Sequence, residues 1–258
     1  MKRVLLGMLL FTVGACSKKD GSDAAAGGGA AAGQDASAAT AALGGGSVTG
    51  HVSFEGAAPA NPAIDMSQES VCNGKYTGGV SDPVVMVTNG MLGNVVLSVK
   101  SGLPAGQTYP VPAEAVVIDQ SGCLYHPRAL AIMAGQKLQI KNSDQVLHNI
   151  KALPTVNRGF NISQPTAGMT TTRTFATPEA NVPIECNVHG WMHSNIMVLS
   201  HPFFAVSGAD GSFTITGLPA GTYEIEAHHA KLGMKTMSVT VTGNAAATAN
   251  FTFSATGT

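Results

Sequence analysis

The stretch Val182-Pro-Ile-Glu-Cys186-Asn-Val-His189-Gly-Trp-Met192 decides how the rest of the sequence is interpreted. Val182, Ile184 and Cys186 fall on alternate positions, the period of two that is typical of a β-strand. A His and a Met then follow the Cys at intervals of three residues, before a further apolar run at 196–199. A strand that ends in Cys186, followed by a short loop, therefore places three potential metal donors around one point.

The same period of two recurs along most of the chain after residue 46. Val48, Gly50, Val52 and Phe54 alternate with polar residues, and comparable short runs occur up to residue 254. Clusters of Gly, Pro, Asn and Asp separate these runs, and no long amphipathic helix follows the first residues. The pattern predicts an all-β fold built from sandwiches.

The composition excludes several classes of protein. The formal net charge is -1 and no Lys/Arg cluster is larger than Lys18-Lys19, so the chain lacks the basic surface that nucleic-acid binding requires. No later apolar run approaches the roughly 18 residues of a membrane span, which excludes a multi-span membrane protein. Charged residues make up only 11%, but with 44% hydrophobic residues the chain can still form ordinary cores.

The first residues have the pattern of a secretory signal. Lys2-Arg3 precedes a mainly apolar stretch at 4–13 that is too short to cross a bilayer. The following Val13-Gly-Ala-Cys16 resembles the lipobox of bacterial lipoprotein signal peptides, which implies removal of residues 1–15 and a lipid on Cys16. By resemblance to the sorting signals of such lipoproteins, Ser17, rather than Asp, implies the outer membrane, facing the periplasm, rather than the inner membrane. The alternative is an ordinary signal peptide cleaved near residue 15.

A low-complexity segment follows the lipobox. Residues 21–46 contain 11 Ala and 8 Gly in 26 positions and almost no large apolar side chain. Such a stretch buries too little surface to fold. We therefore predict that residues 16–46 are a lipidated, disordered tether. As a flexible coil, residues 17–46 would average about 30 Å from end to end.

Residues 210–225, Asp-Gly-Ser-Phe-Thr-Ile-Thr-Gly-Leu-Pro-Ala-Gly-Thr-Tyr-Glu-Ile, resemble the carboxypeptidase regulatory-like (prealbumin-like) β-sandwich. Residues 202–254 are too short for the whole sandwich, and Gly50-His-Val-Ser-Phe-Glu-Gly56 with Val95-Val-Leu-Ser-Val99 resembles the missing half. The resemblance implies a discontinuous sandwich of residues 47–111 plus 202–254, with residues 112–201 inserted as a second domain. The alternative is two consecutive domains that share no sheet.

A further donor lies upstream, in Asn142-Ser-Asp-Gln-Val-Leu-His148-Asn149. One thiolate, two imidazoles and a thioether are the donors of a type 1 copper site. A trigonal Cys/His/His set with a weak axial Met suits Cu(I) and Cu(II) about equally. Little ligand movement then accompanies a change of oxidation state, which favours fast electron transfer.

At these residues the sequence resembles the cupredoxin family, the blue-copper proteins that include plastocyanin and amicyanin. The Cys-x2-His-x2-Met spacing matches an amicyanin-type ligand loop, and His-Asn matches the first ligand and its neighbour. The resemblance covers about residues 112–200 and implies a Greek-key sandwich with one copper ion. It assigns the copper ligands as His148, Cys186, His189 and axial Met192.

The resemblance also gives roles to two neighbouring residues. Asn149 would brace the ligand loop. In the cupredoxin family, the edge of the loop His reaches the surface within an apolar patch, where electrons leave. This predicts an exposed edge for His189. Trp191 would belong to that patch, and capping of the core is its alternative role.

Other sites could use some of the same residues. A structural zinc site could use a Cys and two His but rarely recruits Met. A nucleophilic Cys–His pair would need an orienting group and a substrate cleft, and the sequence indicates neither. A binuclear copper site needs a second Cys at position 182, which is Val. Met197 could replace Met192 but lies inside the next strand, and His193 would point away from the loop's centre.

Two cysteines, Cys72 and Cys123, have no part in the copper site. Because a secreted protein reaches an oxidising compartment, we predict a structural disulfide between them. It would join the first half of the discontinuous sandwich to the inserted domain. A second metal site formed with His126 is the alternative.

These patterns together predict a membrane-tethered blue-copper protein that carries single electrons in the cell envelope and is not an enzyme. Its partners would be envelope redox proteins such as c-type cytochromes or dehydrogenases, and the membrane through the lipid on Cys16. The alternatives are a β-sandwich binding or adhesion lipoprotein and a copper-storage or copper-sensing protein.

Overall fold

The computed structural model describes residues 44–255, which form strands and one short helix, α1 (Ser70–Asn73). The all-β prediction is confirmed. The strands before the inserted segment are β1 (Gly46–Glu55), β2 (Ala63–Ile64), β3 (Val80–Ser81), β4 (Val87–Thr88), β5 (Met91–Leu92) and β6 (Val96–Ser101). Those of residues 112–201 are β7 (Val116–Ser121), β8 (Leu124–His126), β9 (Ala129–Met133), β10 (Lys137–Asn142), β11 (His148–Ala152), β12 (Phe160–Gln164), β13 (Thr170–Thr174), β14 (Glu179–Glu185) and β15 (His193–Leu199). The last are β16 (Phe204–Val206), β17 (Ser212–Leu218), β18 (Gly221–His229), β19 (Gly233–Val241), β20 (Ala246–Thr248) and β21 (Phe251–Ser254).

The N-terminal predictions fall almost entirely beyond this range. The signal peptide, the lipidation site Cys16 and the tether up to residue 43 lie outside the described residues. Gly46, which we assigned to the tether, instead begins β1 and pairs with Leu218 of β17. In the part of the chain from 44 to 255, no helix is long and apolar enough to cross a membrane.

The first sandwich combines a six-stranded and a four-stranded sheet. The larger sheet has the order β17-β1-β5-β4, with β20 and β21 also paired to β1, and the smaller has the order β16-β6-β18-β19. β1 alternates as predicted, with Val48 and Phe54 buried and His51 and Glu55 exposed. The largest fully buried side chains between these sheets are Leu92, Leu97, Phe203 and Phe253.

One glycine in β1 is required by a close backbone approach. β20 and β21 pair in parallel with successive parts of β1, and the chain between them passes Gly50. A Cβ atom at Gly50 would lie 1.6 Å from the carbonyl oxygen of Ala249. Only glycine fits there. This explains why a glycine, rather than an apolar side chain, occupies one of the inward positions of the alternating pattern in β1.

The second sandwich contains the strands from 116 to 199. One sheet has the order β13-β10-β7-β8, and the other has the order β12-β11-β14-β15-β9. Leu138 and Ile140 of the first sheet face Ile150, Ile184 and other apolar side chains of the second, all fully buried. This packing of two amphipathic sheets around one apolar layer is the usual way in which such sheets bury their inner faces.

Strands of the first sandwich come from both sides of the second in the sequence. β1 pairs with β17, and β6 pairs with both β16 and β18. Residues before 102 therefore share sheets with residues after 203. The division into domains at 111/112 and 201/202 stays a prediction.

Residues 63–81, which we call the cap, depart from the predicted sandwich. β2 and β3 pair only with each other, so the cap joins neither sheet of the first sandwich although it lies in the range assigned to it. The predicted disulfide between Cys72 and Cys123 is present and attaches the cap to the second sandwich. Met66 and Cys72 pack there with Trp191 in a small apolar cluster.

A buried carboxylate holds the loop between β11 and β12. Glu179 is only 7% exposed, and it accepts hydrogen bonds from the backbone N–H groups of Thr155 and Asn157 and from the side chains of both residues. Burial alone would raise the pKa of Glu179, but the Asn157 amide and the other donors lower it to about 2.

Glu179→Gln should therefore remove a pH-dependent contribution to stability. Because the pKa is lowered by folding from 4.5 to about 2, the contribution of about 3 kcal/mol is complete above pH 4.5 and is lost as the pH falls towards 2. Urea unfolding of the metal-free protein at several pH values measures it. Glu224→Gln on the exposed side of β18 is the control and should behave like the wild type. Parallel loss of stability in the wild type and Glu179→Gln on acidification would contradict the prediction.

Candidate metal centre

Two neighbouring strands bring the predicted donors to one end of a sheet. β11 begins at His148 and β14 ends at Glu185, immediately before Cys186. Because β11 and β14 are antiparallel, with Lys151 opposite Glu185, the start of one lies beside the end of the other. The short connection from β14 to β15 then carries His189 and Met192 over the same end.

The donor atoms of three predicted ligands converge. Nδ1 of His148 lies 3.0 Å from Nδ1 of His189, and Sγ of Cys186 lies 3.8 Å from the same His189 Nδ1. One ligand atom from each of the three residues falls within 4.8 Å of the others. All three side chains are almost completely buried, at 0%, 4% and 1% exposure for His148, Cys186 and His189.

The free thiol and the two imidazoles suit metal binding. Cys186 is the only free cysteine within residues 44–255, and its Sγ accepts a hydrogen bond from the backbone N–H of His189 at 3.3 Å. Burial lowers the pKa of His148, and burial together with the neighbouring His148 lowers the pKa of His189. A lowered pKa favours the neutral imidazole, the form that offers a lone pair to a metal.

Met192 lies in the same loop and the same core. It is fully buried and packs in the apolar cluster that contains Cys186. The loop is closed by backbone bonds from Met192 N–H to His189 O, at 2.9 Å, and from Cys186 N–H to Met192 O, at 3.3 Å. The alternative residue, Met197, packs instead with Val96 in the layer between the two sandwiches.

Asn149 contacts the loop that carries the predicted ligands. Its Oδ1 accepts a hydrogen bond from the backbone N–H of Asn187 at 3.2 Å, and its Nδ2 donates to Asn161. The hydroxyl of Tyr125 lies within hydrogen-bonding distance of the carbonyl oxygens of Asn149 and Glu185. These contacts connect the residue after His148 to the residues on either side of Cys186, which limits movement of the loop.

The expectation of an exposed His189 edge is wrong. Nε2 of His189 lies 4.0 Å from Sγ of Cys72 in the cap. Trp191 covers another side, with its ring centroid 5.1 Å from that of His189 and its Nε1–H donating to the carbonyl oxygen of Cys123. The cap and its disulfide thus lie between this imidazole and the solvent. Trp191 is half-buried and takes part in two apolar clusters, as its alternative capping role predicts.

One residue of the candidate metal centre, Asp144, was not predicted from the sequence. Asp144 is 2% exposed, and its Oδ2 lies 2.9 Å from Nε2 of His148. It also accepts hydrogen bonds from the backbone N–H groups of Gly122 and Cys123, and it forms an ion pair with Lys75 of the cap at 3.0 Å. Burial opposes ionisation of Asp144, but these donors hold its pKa below the usual value. The only sequence signal was a carboxylate four residues before a candidate ligand.

A second group of potential donors overlaps with the first. Cys123, Asp144 and His148 also bring one ligand atom each within 4.8 Å. Cys123 is bonded to Cys72 and has no thiolate to offer, and His148 already belongs to the main group. The second metal site that we considered with His126 has no support, because Cys72 and Cys123 form the disulfide.

Comparison with known proteins gives partial similarities to copper proteins. No protein-family model and no curated protein matches the sequence. Among solved structures, the chain is similar to a Cu-containing nitrite reductase (NirK) from Thermus scotoductus SA-01, with 20% identity, a TM-score of 0.30, and coverage of 39% of this chain and 26% of that chain. The chain thus spans about a quarter of the length of the nitrite reductase.

Two smaller proteins are covered almost completely. A purple cupredoxin from Nitrosopumilus maritimus has 21% identity and a TM-score of 0.28, with coverage of 32% of this chain and 98% of that chain. A methionine-to-alanine variant of amicyanin in its Cu(I) form has 18% identity and a TM-score of 0.30, with coverage of 40% of this chain and 98% of that chain.

Removal of the disulfide should open the cap. In Cys72→Ser combined with Cys123→Ser, the free energy of unfolding should fall by about 2 to 4 kcal/mol, because the bond closes a loop with a sequence separation of 51. Metal uptake by the metal-free protein should also become faster, since His189 loses its cover. Urea unfolding and stopped-flow absorption measure the two effects. Val71→Ala, at an exposed position of α1, is the control. Equal uptake rates in the double variant and the wild type would show that the cap does not limit access.

Proposed function

We propose that the protein is a cupredoxin-type carrier of single electrons that holds one type 1 copper ion. The observation that carries the proposal is the convergence of two imidazole Nδ1 atoms and one free thiol in a buried site. This donor set fits copper, since imidazole and thiolate together serve both oxidation states. Bound copper would supply a reversible one-electron couple.

The chain would hold the ion with His148, Cys186 and His189, and the thioether of Met192 would be a weaker fourth ligand. His148 begins β11, and Cys186 directly follows β14, the strand that pairs with β11. His189 and Met192 lie on the next loop, which is closed by its own backbone hydrogen bonds. Asn149 and Tyr125 restrict the same backbone. Ligands held in this way move little, so a change of charge on the metal would require little reorganisation.

The burial of Cys186 argues against a nucleophilic role. A catalytic thiol needs access for its substrate and an orienting partner for its base, whereas Cys186 is 4% exposed beneath a closed loop. We therefore propose that the protein is not an enzyme. Zinc would use the same thiol and imidazoles but would give no role to the buried thioether of Met192.

We propose that electrons enter and leave beside the cap rather than through a bare imidazole edge. Trp191 is half-buried and lies against both His189 and the disulfide-bearing turn. Three exposed aliphatic side chains are sequence neighbours of the residues around the site: Val71, Leu147 and Val188. Exposed apolar side chains beside the site would support transient contact with envelope redox proteins, such as c-type cytochromes or dehydrogenases.

We further propose that the protein is anchored through Cys16 to the outer membrane and faces the periplasm. The lipobox-like Val13-Gly-Ala-Cys16 and the Ala/Gly-rich segment support this location. The disulfide between Cys72 and Cys123 is consistent with it, since such bonds persist in oxidising compartments.

Copper-loaded protein should be intensely blue, and Cys186→Ser should remove nearly all of that absorption, because the colour is a thiolate-to-copper charge transfer. Visible and electron paramagnetic resonance spectra measure it. Met192→Leu should keep the colour but alter the spectrum, since only the weak thioether ligand is lost. Met197→Leu, a matched change at a buried Met away from the ligands, should have no effect.

A colourless copper-loaded wild type would contradict the electron-carrier proposal. If the blue protein forms but is neither reduced nor oxidised by envelope cytochromes or dehydrogenases, storage or sensing becomes the better explanation.

Cys16→Ser should release the protein from membranes. In a bacterial host that processes lipoproteins, the wild type should incorporate labelled fatty acid and sediment with the outer-membrane fraction, whereas the variant should do neither, since it lacks the acylated sulfur. Ser17→Ala is the control and should remain in the membrane fraction. A wild type that is found in the soluble periplasmic fraction would contradict anchoring.

A further inference from the structure

We propose that Asp144 is a positioning residue of the metal centre, which fixes the tautomer of His148 and connects this ligand to the cap. The inference rests on the proposed copper function. It concerns a carboxylate that is itself not a ligand, and it follows from the hydrogen bonds around that carboxylate.

The carboxylate of Asp144 is surrounded by donors. Oδ1 accepts from Gly122 N–H at 3.0 Å and contacts Lys75 Nζ at 3.0 Å. Oδ2 accepts from Cys123 N–H at 2.7 Å and lies 2.9 Å from Nε2 of His148. An ionised carboxylate can only accept hydrogen bonds. Nε2 of His148 must therefore carry the proton and donate it to this bond.

The tautomer of His148 follows directly. A neutral imidazole with its proton on Nε2 has its lone pair on Nδ1, and Nδ1 of His148 is the atom that lies 3.0 Å from Nδ1 of His189. Asp144 thus turns the metal-binding nitrogen towards the other donors and holds the ring in that orientation. Without this acceptor, His148 could carry the proton on either nitrogen.

The negative charge should also affect the strength of the ligand. A carboxylate bonded to the far nitrogen of a ligating imidazole raises its basicity, which favours Cu(II) over Cu(I). Lys75 partly compensates this charge but is itself 37% exposed. The same two carboxylate oxygens hold the Gly122–Cys123 turn and, through Lys75, the cap. One buried side chain therefore connects a ligand, the disulfide and the segment that covers His189.

The first test uses the full chain loaded with copper. Asp144→Asn keeps the size of the side chain but removes its charge and places an amide where one oxygen accepted hydrogen bonds. We expect Cu(II) to bind about 10- to 100-fold more weakly. If Cu(I) binding is unchanged, the midpoint potential should rise by about 59 to 118 mV. Lys75→Met is the matched control. This variant removes the ion pair with Asp144 and leaves the hydrogen bond between His148 and Asp144. The midpoint potential should therefore stay unchanged or fall.

A blue Asp144→Asn protein with an unchanged potential would overturn the inference, because a merely structural role predicts lower stability without a change in potential. The second test needs no copper: nitrogen-15 NMR of the metal-free wild type should show the proton of His148 on Nε2. A proton on Nδ1 would overturn the inference even if the variant fails to fold. A colourless wild type would remove the proposed function, while the NMR result would still decide the tautomer.

Discussion

The antiparallel pairing of β11 with β14 is the constraint on which the candidate metal centre depends. It places His148, at the start of one strand, beside Cys186, at the end of the other, and the β14–β15 connection has only to return across the same end to add His189 and Met192. Tyr125 and Asn149 then connect the two strand ends. A one-residue shift in this register would turn every side chain of β14 to the opposite face, and the thiol of Cys186 would leave the core.

Around this pairing the protein builds a closed rather than an open site. The cap, the disulfide and Trp191 cover His189, and Asp144 occupies the far side of His148. The interior of the site therefore contains the carboxylate of Asp144, two imidazoles and a thiol. Most of their polar atoms have hydrogen-bond partners. This agrees with the rule that buried polar groups are retained where they are satisfied and functional.

The sequence predicted the parts of the fold that depend on local pattern. The alternation in β1, in β10 and before Cys186 reports directly which side chains face a core, and the spacing of Cys186, His189 and Met192 places them on one loop. The cap could not be predicted in this way. Its strands are two residues long, and its position depends on a disulfide and on the ion pair of Lys75 with Asp144, contacts between residues far apart in the chain. The prediction of an exposed His189 edge was wrong for the same reason. Asp144 was not predicted because a carboxylate in a polar loop has no distinctive sequence pattern.

The way in which β1 is completed has a consequence for how the molecule assembles. His51 N–H bonds to the side chain of Asn250, at a sequence separation of 199, and β20 and β21 both pair with β1. The first sandwich therefore cannot close until residues near 254 are available, whereas the sheets of the second need nothing beyond 199. Contacts of such separation make folding slow, so the edge of β1 stays unpaired until β20 and β21 have joined it. An unpaired strand with alternating apolar side chains can associate with other chains, so the pairing of β20 and β21 with β1 also closes a site of possible aggregation.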